Sequence, residues 1–158
     1  MEIRSFLFES GPLEAFIKLP ATVYAGDPRW IPPFTIDVRR RLSTENPFLE
    51  YGGIKNFLAV DGDRTLGRVT ALRNPRLVVD GDPIGLFGFF EVTDNYEAAA
   101  ALWDAARDWL RRRGCKRVWG PMNFHIWDAY RFMTKGFETE PFAGEPYNPS
   151  YYPEFAEE

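Results

Sequence analysis

Residues 85–121 read GLFGFFEVTDNYEAAAALWDAARDWLRRRGCKRVWGP, and this segment decides the fold. Its apolar start predicts a buried strand. Asp94 and Glu97 have the spacing of a capping box and predict the start of a helix, which Gly114 ends. A second strand is predicted at Lys116–Trp119. A strand, a crossover helix and another strand in this order indicate a parallel pair with a right-handed crossover.

The predicted helix has one charged face and one apolar face. Asp104 is spaced to pair with Arg107, and Asp108 with Arg111 and Arg112, on the side that faces water. The buried face is predicted from apolar positions at helical spacing, which are Ala98, Leu102, Ala105, Ala106, Trp109 and Leu110.

Upstream of this unit the sequence predicts one strand and two helical segments. Alternation of apolar and polar residues predicts the strand at Ile3–Glu9. A helix is expected to open with Ser10 as its cap and to end or kink at Pro20. A short helix is predicted over Phe34–Leu42. Its run Arg39–Arg41 is typical of a solvated face and only weakly indicates a phosphate-bearing ligand.

Two Asp-Gly pairs predict antiparallel hairpins. Asp61-Gly62 lies between the apolar runs Asn56–Val60 and Thr65–Leu72, and Asp80-Gly81 leads into Ile84–Val92. The fold class is therefore α/β, in the α+β sense. It has a mixed, mostly antiparallel, twisted sheet that is flanked by helices and becomes parallel at its end.

Gly85 and Gly88 lie inside the last strand of this meander. Glycine weakens a strand, so these positions predict a bulge or a close approach of another backbone. Two interpretations stay open: something docks against this strand, or the glycines only twist the sheet.

Composition limits the class of protein. The chain has 158 residues, a mass of 18.3 kDa, a formal net charge of -4 and a pI near 5.2. We expect one domain, residues 1–158, in which residues 119–158 form an aromatic, proline-rich tail or lid. The acidic balance argues against a nucleic-acid partner. No apolar run has the length of a transmembrane segment, and the single Cys115 suits a reducing, cytoplasmic location.

The sequence lacks the common catalytic and nucleotide-binding motifs. It has no Walker sequence, no G-x-G-x-x-G, no G-x-S-x-G and no H-E-x-x-H. One His and one Cys, far apart, argue against a zinc site, and we expect no bound metal. Free N–H groups near Thr93–Tyr96 favour a phosphate, but this turn has no glycine and Asp94 adds a negative charge.

Glu91 and His125 are candidates for proton transfer. Glu91 ends the run Phe87–Glu91, where burial among rings would raise its pKa toward that of a general base. The alternative is an edge carboxylate paired with an arginine. His125 is either a proton acceptor or a residue held by hydrogen bonds between Phe124 and Trp127.

The end of the chain supplies further polar candidates. Tyr147 is the third candidate for a catalytic role, as a donor of a hydrogen bond or a proton. Tyrosines beside prolines are otherwise packing residues with a hydrated hydroxyl. Candidates for substrate contacts are Asn123, Trp127, Asn148, Tyr151 and Tyr152.

Seven segments, in the order predicted above, carry a resemblance to a known family. They resemble the GNAT superfamily of N-acyltransferases, and within it a little-characterised bacterial branch. The resemblance covers nearly the whole chain and is to the N-terminal portion of relatives that continue further. The segments are FIKLP (16–20), YAGDPRWIPP (24–33), NPF (46–48), GRVTALRN (67–74), GFFE (88–91), WGPMNF (119–124) and YNPSYYPEF (147–155).

This resemblance implies a donor and a mechanism. The donor is an acyl thioester of CoA (acetyl-CoA or acyl-CoA) or of a carrier protein. It lies where two neighbouring strands splay apart. An amine attacks it directly, with Glu91 as the base. The turn Glu91–Tyr96 departs from the superfamily's pyrophosphate loop, Q/R-x-x-G-x-G/A. The residues implied in donor binding are Gly88, Phe90, Val92, Thr93, Asp94, Asn95 and Tyr96.

Two functions stay open. The first is an N-acyltransferase for a small amine or a lipid amine, because certain members of the branch resemble enzymes that acylate lipid amines. The second is a non-catalytic binding or assembly module, which the turn without glycine and the chain end at Glu158 favour. The tail has too many rings to leave in water, so we expect it to pack against a second copy in a homodimer. These rings are Trp119, Phe124, Trp127, Tyr130, Phe132, Phe137, Phe142, Tyr147, Tyr151, Tyr152 and Phe155.

Overall fold

A five-stranded sheet with the strand order β1-β2-β3-β4-β5 forms the centre of the protein in the computed structural model, which describes residues 1–142 and 144–158. The first four strands are antiparallel neighbours, and β5 lies parallel to β4, so the predicted mixed sheet is confirmed. The strands are β1 (Glu2–Phe6), β2 (Gly53–Asp61), β3 (Arg64–Val79), β4 (Asp82–Val92) and β5 (Arg117–Trp119). The helices are α1 (Ser10–Val23), α2 (Thr35–Arg41), α3 (Tyr96–Arg111) and α4 (Tyr151–Glu157), with a 3-10 helix at Pro47–Glu50.

Both predicted hairpins are present. Asp61 lies opposite Arg64 in the first, and Val79 lies opposite Asp82 in the second. In the second turn Asp80 and Gly81 have φ angles of 54° and 80°. This left-handed pair is the backbone that Asp-Gly favours in a two-residue hairpin.

The sheet separates two hydrophobic cores. One core packs the sheet against α1 and α2 and contains Phe16, Ile17 and Leu42. The other packs it against α3 and α4 and contains Leu102, Leu110 and Tyr152. Each core removes large apolar side chains from water, which is the main term that stabilises such a layered domain.

Helix α1 differs from its prediction at both ends. It begins at Ser10, so Ser10 lies inside the helix and is not its cap. It continues past Pro20 to Val23, so of the two outcomes predicted for Pro20, an end or a kink, the end is wrong. Proline has no N–H and leaves the carbonyl four residues earlier, that of Phe16, without its helical partner. Arg68 Nη1 donates to that carbonyl at 2.6 Å, which satisfies the interrupted helix.

Helix α3 is capped one residue later than predicted. Asn95 is the N-cap, and its Oδ1 accepts a hydrogen bond from the Ala98 N–H at 2.9 Å. The predicted capping box with Asp94 is therefore wrong by one position. Asn is as good a cap as Asp, so the two adjacent residues compete for this place.

The rest of α3 follows the prediction closely. Its buried face holds Ala98, Leu102, Ala106, Trp109 and Leu110, together with Ala99, while Ala105 is only partly buried. The predicted pairs Asp104–Arg107 and Asp108–Arg111 are present on the exposed face. Gly114, with a φ of 81°, follows the end of the helix as expected.

The tail folds back onto the domain. Phe124 belongs to the first core, and Tyr152 belongs to the second. Three further rings of the tail pack against the second core: Phe132, Tyr151 and Phe155. Trp127 and Phe142 remain 89% and 85% exposed. None of the helices in the described ranges is long and apolar enough to cross a membrane.

Candidate active site

Strands β4 and β5 separate early. They pair through Ile84–Leu86 on β4 and the three residues of β5. Beyond this point the edge of β4 meets the start of the tail, where the Met122 N–H donates to the Phe87 carbonyl at 2.7 Å. The Phe89 N–H donates to Asn123 Oδ1 at 2.6 Å. The tail therefore fills the place next to β4 that a longer fifth strand would occupy.

Gly88 permits this contact. A Cβ at residue 88 would lie 2.4 Å from the Met122 carbonyl oxygen, closer than any side chain tolerates. A bulge or a close backbone approach was predicted for Gly85 and Gly88, and at Gly88 the close approach is present, with the chain's own tail as the segment that approaches. Gly85 has a different reason, because a Cβ there would lie 2.8 Å from the Leu110 side chain on α3.

A β-bulge precedes Glu91. The register between β3 and β4 shifts between Arg68 and Thr70, and Phe89 has a φ of 51° in the left-handed region. A bulge redirects the side chains that follow it. Here it leaves Glu91 opposite Arg68 in the ladder.

The Glu91 carboxylate is held from three elements. Its Oε2 accepts hydrogen bonds from the hydroxyl of Tyr24, just after α1, at 3.0 Å and from the hydroxyl of Tyr152, on α4, at 2.8 Å. Its Oε1 lies 3.9 Å from Nη2 of Arg68 on β3. The carboxylate thus has two neutral donors on one oxygen and a cation beside the other.

Burial governs the protonation of this cluster. Loss of water raises the pKa of Glu91, while Arg68 and the two tyrosine hydroxyls oppose that rise. The pKa values of Tyr24 and Tyr152 are raised by burial and by the neighbouring carboxylate, so both stay protonated and donate. The pKa rise expected for Glu91 is therefore present, and so is the arginine of the alternative interpretation.

A cavity of about 460 Å³ opens in front of this carboxylate. Its buried end holds Arg68, Glu91 and the two tyrosines, and its exposed end holds Ile31, Phe34 and Phe142. Between these ends the wall is mainly aromatic and proline-rich, with Trp30, Phe89, Phe90, Pro121, Phe132, Pro141 and Pro146. The cavity is polar at its base, and its exposed part carries these apolar side chains together with the ion pair Arg131–Glu145.

Five of the residues named from sequence join Glu91 in this cavity: Phe90, Asn123, Tyr147, Asn148 and Tyr152. The Tyr147 hydroxyl donates to Asp27, and its carbonyl accepts from Tyr24 at 3.2 Å. Asn148 is buried and binds both the N–H and the carbonyl of Met133. Asn148 therefore holds the tail in place, while Tyr147 positions Tyr24.

His125 and Trp127 lie elsewhere. His125 is exposed and lines a second cavity, of about 510 Å³, together with Arg40 and Tyr51. Trp127 projects into solvent. The structure does not bring either of them to Glu91.

The segment named for donor binding is engaged with α4. The Val92 N–H donates to the Tyr152 hydroxyl at 2.7 Å, and the Val92 carbonyl accepts from the Tyr151 hydroxyl at 2.9 Å. The Thr93 N–H donates to the Leu66 carbonyl at 2.8 Å. Tyr96 packs against Phe155, with ring centroids 5.5 Å apart. Phe90 belongs to the second core, and Asp94 is exposed.

Sequence reasoning missed Tyr24 and Arg68. Tyr24 precedes Glu91 by 67 positions, and no local pattern links the two. Arg68 had one indirect signal, because Pro20 within a helix predicts a free carbonyl at Phe16 that needs a donor.

Comparison with known proteins finds relatives that are longer than this chain. No protein-family model matches it. Protein YghO of Escherichia coli (strain K12) is 32% identical over 154 residues, which are 95% of this chain and 38% of YghO. The bacterial ceramide synthase of Caulobacter vibrioides (strain NA1000 / CB15N) is 34% identical over 142 residues, which are 88% of this chain and 37% of that protein. The chain spans less than two fifths of the length of these curated relatives.

Solved structures share the fold at low sequence identity. The aminoglycoside acetyltransferase AAC(6')-Iy, in complex with a CoA-containing bisubstrate analogue, aligns with a TM-score of 0.54 and 19% identity over 77% of this chain and 78% of that one. Meta-AAC0020, an aminoglycoside acetyltransferase from an uncultured soil metagenomic sample, aligns with a TM-score of 0.53 and 15% identity over 75% and 74% of the two chains. A tandem protein from the clavulanic acid pathway gives a TM-score of 0.55 and 19% identity over 72% of this chain and 34% of that one.

Proposed function

Because the chain has the fold of the GNAT acetyltransferases, as its sequence resemblance implied, we propose that it is an N-acyltransferase that moves an acyl group from a thioester to an amine. One observation carries this proposal: a mostly buried carboxylate, Glu91, lines a cavity beyond the point where β4 and β5 separate. A carboxylate with a raised pKa in such a place suits a general base.

In the proposed reaction the amine nitrogen attacks the thioester carbonyl carbon. The C–N bond forms, the C–S bond breaks, and the thiolate leaves. Glu91 takes the proton that the amine loses. Tyr24 and Tyr152 keep the carboxylate oriented through Oε2, so that Oε1 is directed to the amine.

The cavity supports an amphiphilic acceptor. Its charged base suits an amine, and the exposed apolar side chains of Ile31, Phe34 and Phe142 suit a hydrocarbon chain. The relative named bacterial ceramide synthase supports an acceptor of the lipid-amine class. Small polar amines would leave the aromatic wall in contact with water, so we expect them to bind more weakly.

The thioester carrier is CoA or a carrier protein. The start of α3 fits a pyrophosphate poorly, since the turn has no glycine and the N–H groups of Val92 and Thr93 are used within the chain. The same observation favours the second candidate function, a non-catalytic binding or assembly module.

Binding and turnover separate the two functions. We expect a long-chain acyl thioester to bind in a calorimetric titration and to acylate a long-chain amine. Glu91→Gln should lower kcat by about 10²-fold or more, since general base catalysis contributes that much. Glu154→Gln, an exposed carboxylate on α4, is the matched control and should keep full activity.

Two results would count against the proposal, and the first of them would reject the enzyme. One is a failure of both acetyl-CoA and a long-chain acyl-CoA to bind at high micromolar concentration, with the acyl carrier-protein thioester also unreactive. The other concerns the base alone: full turnover by Glu91→Gln would exclude its role.

A further inference from the structure

Arg68 is held beside Glu91 by a hydrogen bond to helix α1, at the point where Pro20 interrupts the helical bonding. Its Nη1 donates to the Phe16 carbonyl, which Pro20 leaves free, and its guanidinium lies 4.8 Å from the centroid of the Phe16 ring. The residue is only 5% exposed. A long cationic side chain is thus held in one place by a backbone acceptor and an aromatic face.

The guanidinium does not use the carboxylate's lone pairs. Its Nη2 lies 3.9 Å from Glu91 Oε1, which is beyond hydrogen-bond range, and its Nε has no partner among residues 1–142 and 144–158. Both tyrosine hydroxyls bond to Oε2 instead. Oε1 therefore keeps its capacity to accept while it lies next to a positive charge.

Arg68 is the cation in the group that surrounds Glu91. The groups that face this carboxylate are Arg68 from β3, Tyr24 after α1 and Tyr152 from α4. The two tyrosines are neutral donors. Burial lowers the pKa of Arg68, but a guanidinium starts so far above neutrality that it stays charged at pH 7.

We propose that Arg68 is a positioning residue of this site, which holds Glu91 as a carboxylate through charge and leaves Oε1 free to take the proton of the acceptor amine. The inference rests on the proposed function for the identity of that amine. A bidentate arginine would instead occupy both oxygens and compete with the acceptor. The 3.9 Å separation avoids this competition.

The proposal also gives Pro20 a role. Without proline at that position the Phe16 carbonyl would also be bonded within the helix, and Arg68 would have to share the acceptor that holds it. The side chain of Arg68 thus links the interruption of α1 at Pro20 to the charge state of Glu91, which is distant in sequence.

The test is the pH dependence of unfolding by urea in wild type, Arg68→Met, Glu91→Gln and the double variant. Without Arg68 the buried Glu91 has no counter-charge, so its folded-state pKa rises further above the unfolded value. The folded protein then binds more protons than the unfolded chain, and its stability falls as the pH rises from the unfolded-state pKa of Glu91 to its higher folded-state pKa. We expect a steeper fall for Arg68→Met than for wild type, and loss of the additional slope in the double variant.

Arg117→Met is the matched control. Arg117 also donates to a backbone carbonyl, that of Val79 at 2.8 Å, and its Nε is likewise unpartnered within the described ranges. It lies next to Asp80 and Asp82 and not next to Glu91. Its removal should not add a slope that depends on Glu91.

Several outcomes would overturn the proposal. Parallel stability curves for Arg68→Met and wild type would do so, as would a slope that persists after Glu91→Gln. If Arg68→Met does not fold, the stability of the variant that carries both Arg68→Met and Glu91→Gln tests the proposal instead, because this variant has no unpaired carboxylate at residue 91. A double variant that also fails to fold would show that Arg68 serves α1 and not Glu91.

An activity measurement completes the test. In acyl transfer the acidic limb of kcat/KM should move to higher pH in Arg68→Met and stay near the wild-type position in Arg68→Lys, which keeps the charge. An unchanged limb in active Arg68→Met would overturn the proposal. The unfolding experiment needs no turnover, so an inactive protein that shows the expected slope would reject the proposed function and retain the pairing of Arg68 with Glu91.

Discussion

The Glu91 carboxylate is subject to opposing influences from its neighbours. Removal from water disfavours its charge, whereas Arg68, Tyr24 and Tyr152 favour it. The resulting pKa is raised, yet less than burial alone would raise it. Each neighbour is therefore a separate means of changing the pH at which the site works.

Tyr24→Phe should shift the pH profile of acyl transfer. Removal of the hydroxyl takes one hydrogen bond from the charged form of Glu91, so the pKa of this carboxyl rises further. A base is inactive while protonated, so the acidic limb of kcat/KM should move to higher pH. Tyr51→Phe, whose ring lies under Arg76, is the control. Coincident profiles for Tyr24→Phe and wild type would contradict the prediction.

Gly88→Ala should destabilise the fold. The added methyl group would meet the Met122 carbonyl oxygen at 2.4 Å, so β4 or the tail must move. We expect a loss of about 1–3 kcal/mol in the free energy of unfolding, as for other overpacked sites. Gly11→Ala is the control, because nothing lies within 4 Å of a Cβ there. Equal unfolding midpoints in the two variants would argue against a tight contact at Gly88.

At the scale of the elements, α3 provides a test of its own boundary. Asn95→Ala should cost about 1 kcal/mol, because the Ala98 N–H would lose its acceptor. Asp94→Ala should cost less, since Asp94 is exposed and does not cap. Thermal unfolding of the two variants measures the difference. The reverse order of stability would restore Asp94 as the cap.

Local patterns predicted the elements well. The hairpins at Asp61-Gly62 and Asp80-Gly81 and the buried face of α3 each depend on residues that are close in sequence. The cap of α3 was missed by one residue because Asp94 and Asn95 have similar capping strength.

The site was harder to predict than the elements. Glu91 was found from its place among rings on a strand, but its partners come from three other elements. Arg68 bonds to a carbonyl 52 positions away, and Tyr152 bonds to Glu91 across 61 positions. Contacts of this range depend on how the sheet and its helices pack, which no spacing pattern records.

At the scale of the whole molecule, the tail still offers an apolar surface. Many of its rings fold inward, but Trp127 and Phe142 are largely exposed. Exposed rings of this size are typical of an interface, so we expect the chain to form a homodimer. Sedimentation velocity should give a dimer that Trp127→Ser weakens. A monomer at all accessible concentrations would contradict this expectation.

The tail contact along β4 has a consequence for solubility. A strand with unpaired N–H and C=O groups is a template on which other chains aggregate. In this protein the side chains of Asn123, Tyr151 and Tyr152, with one backbone N–H from Met122, take up those groups on β4 in place of another strand. Side-chain bonds do not propagate the way a ladder does, so they shield the edge without extending the sheet. The sheet can therefore open between β4 and β5 without its exposed edge becoming a nucleus for aggregation.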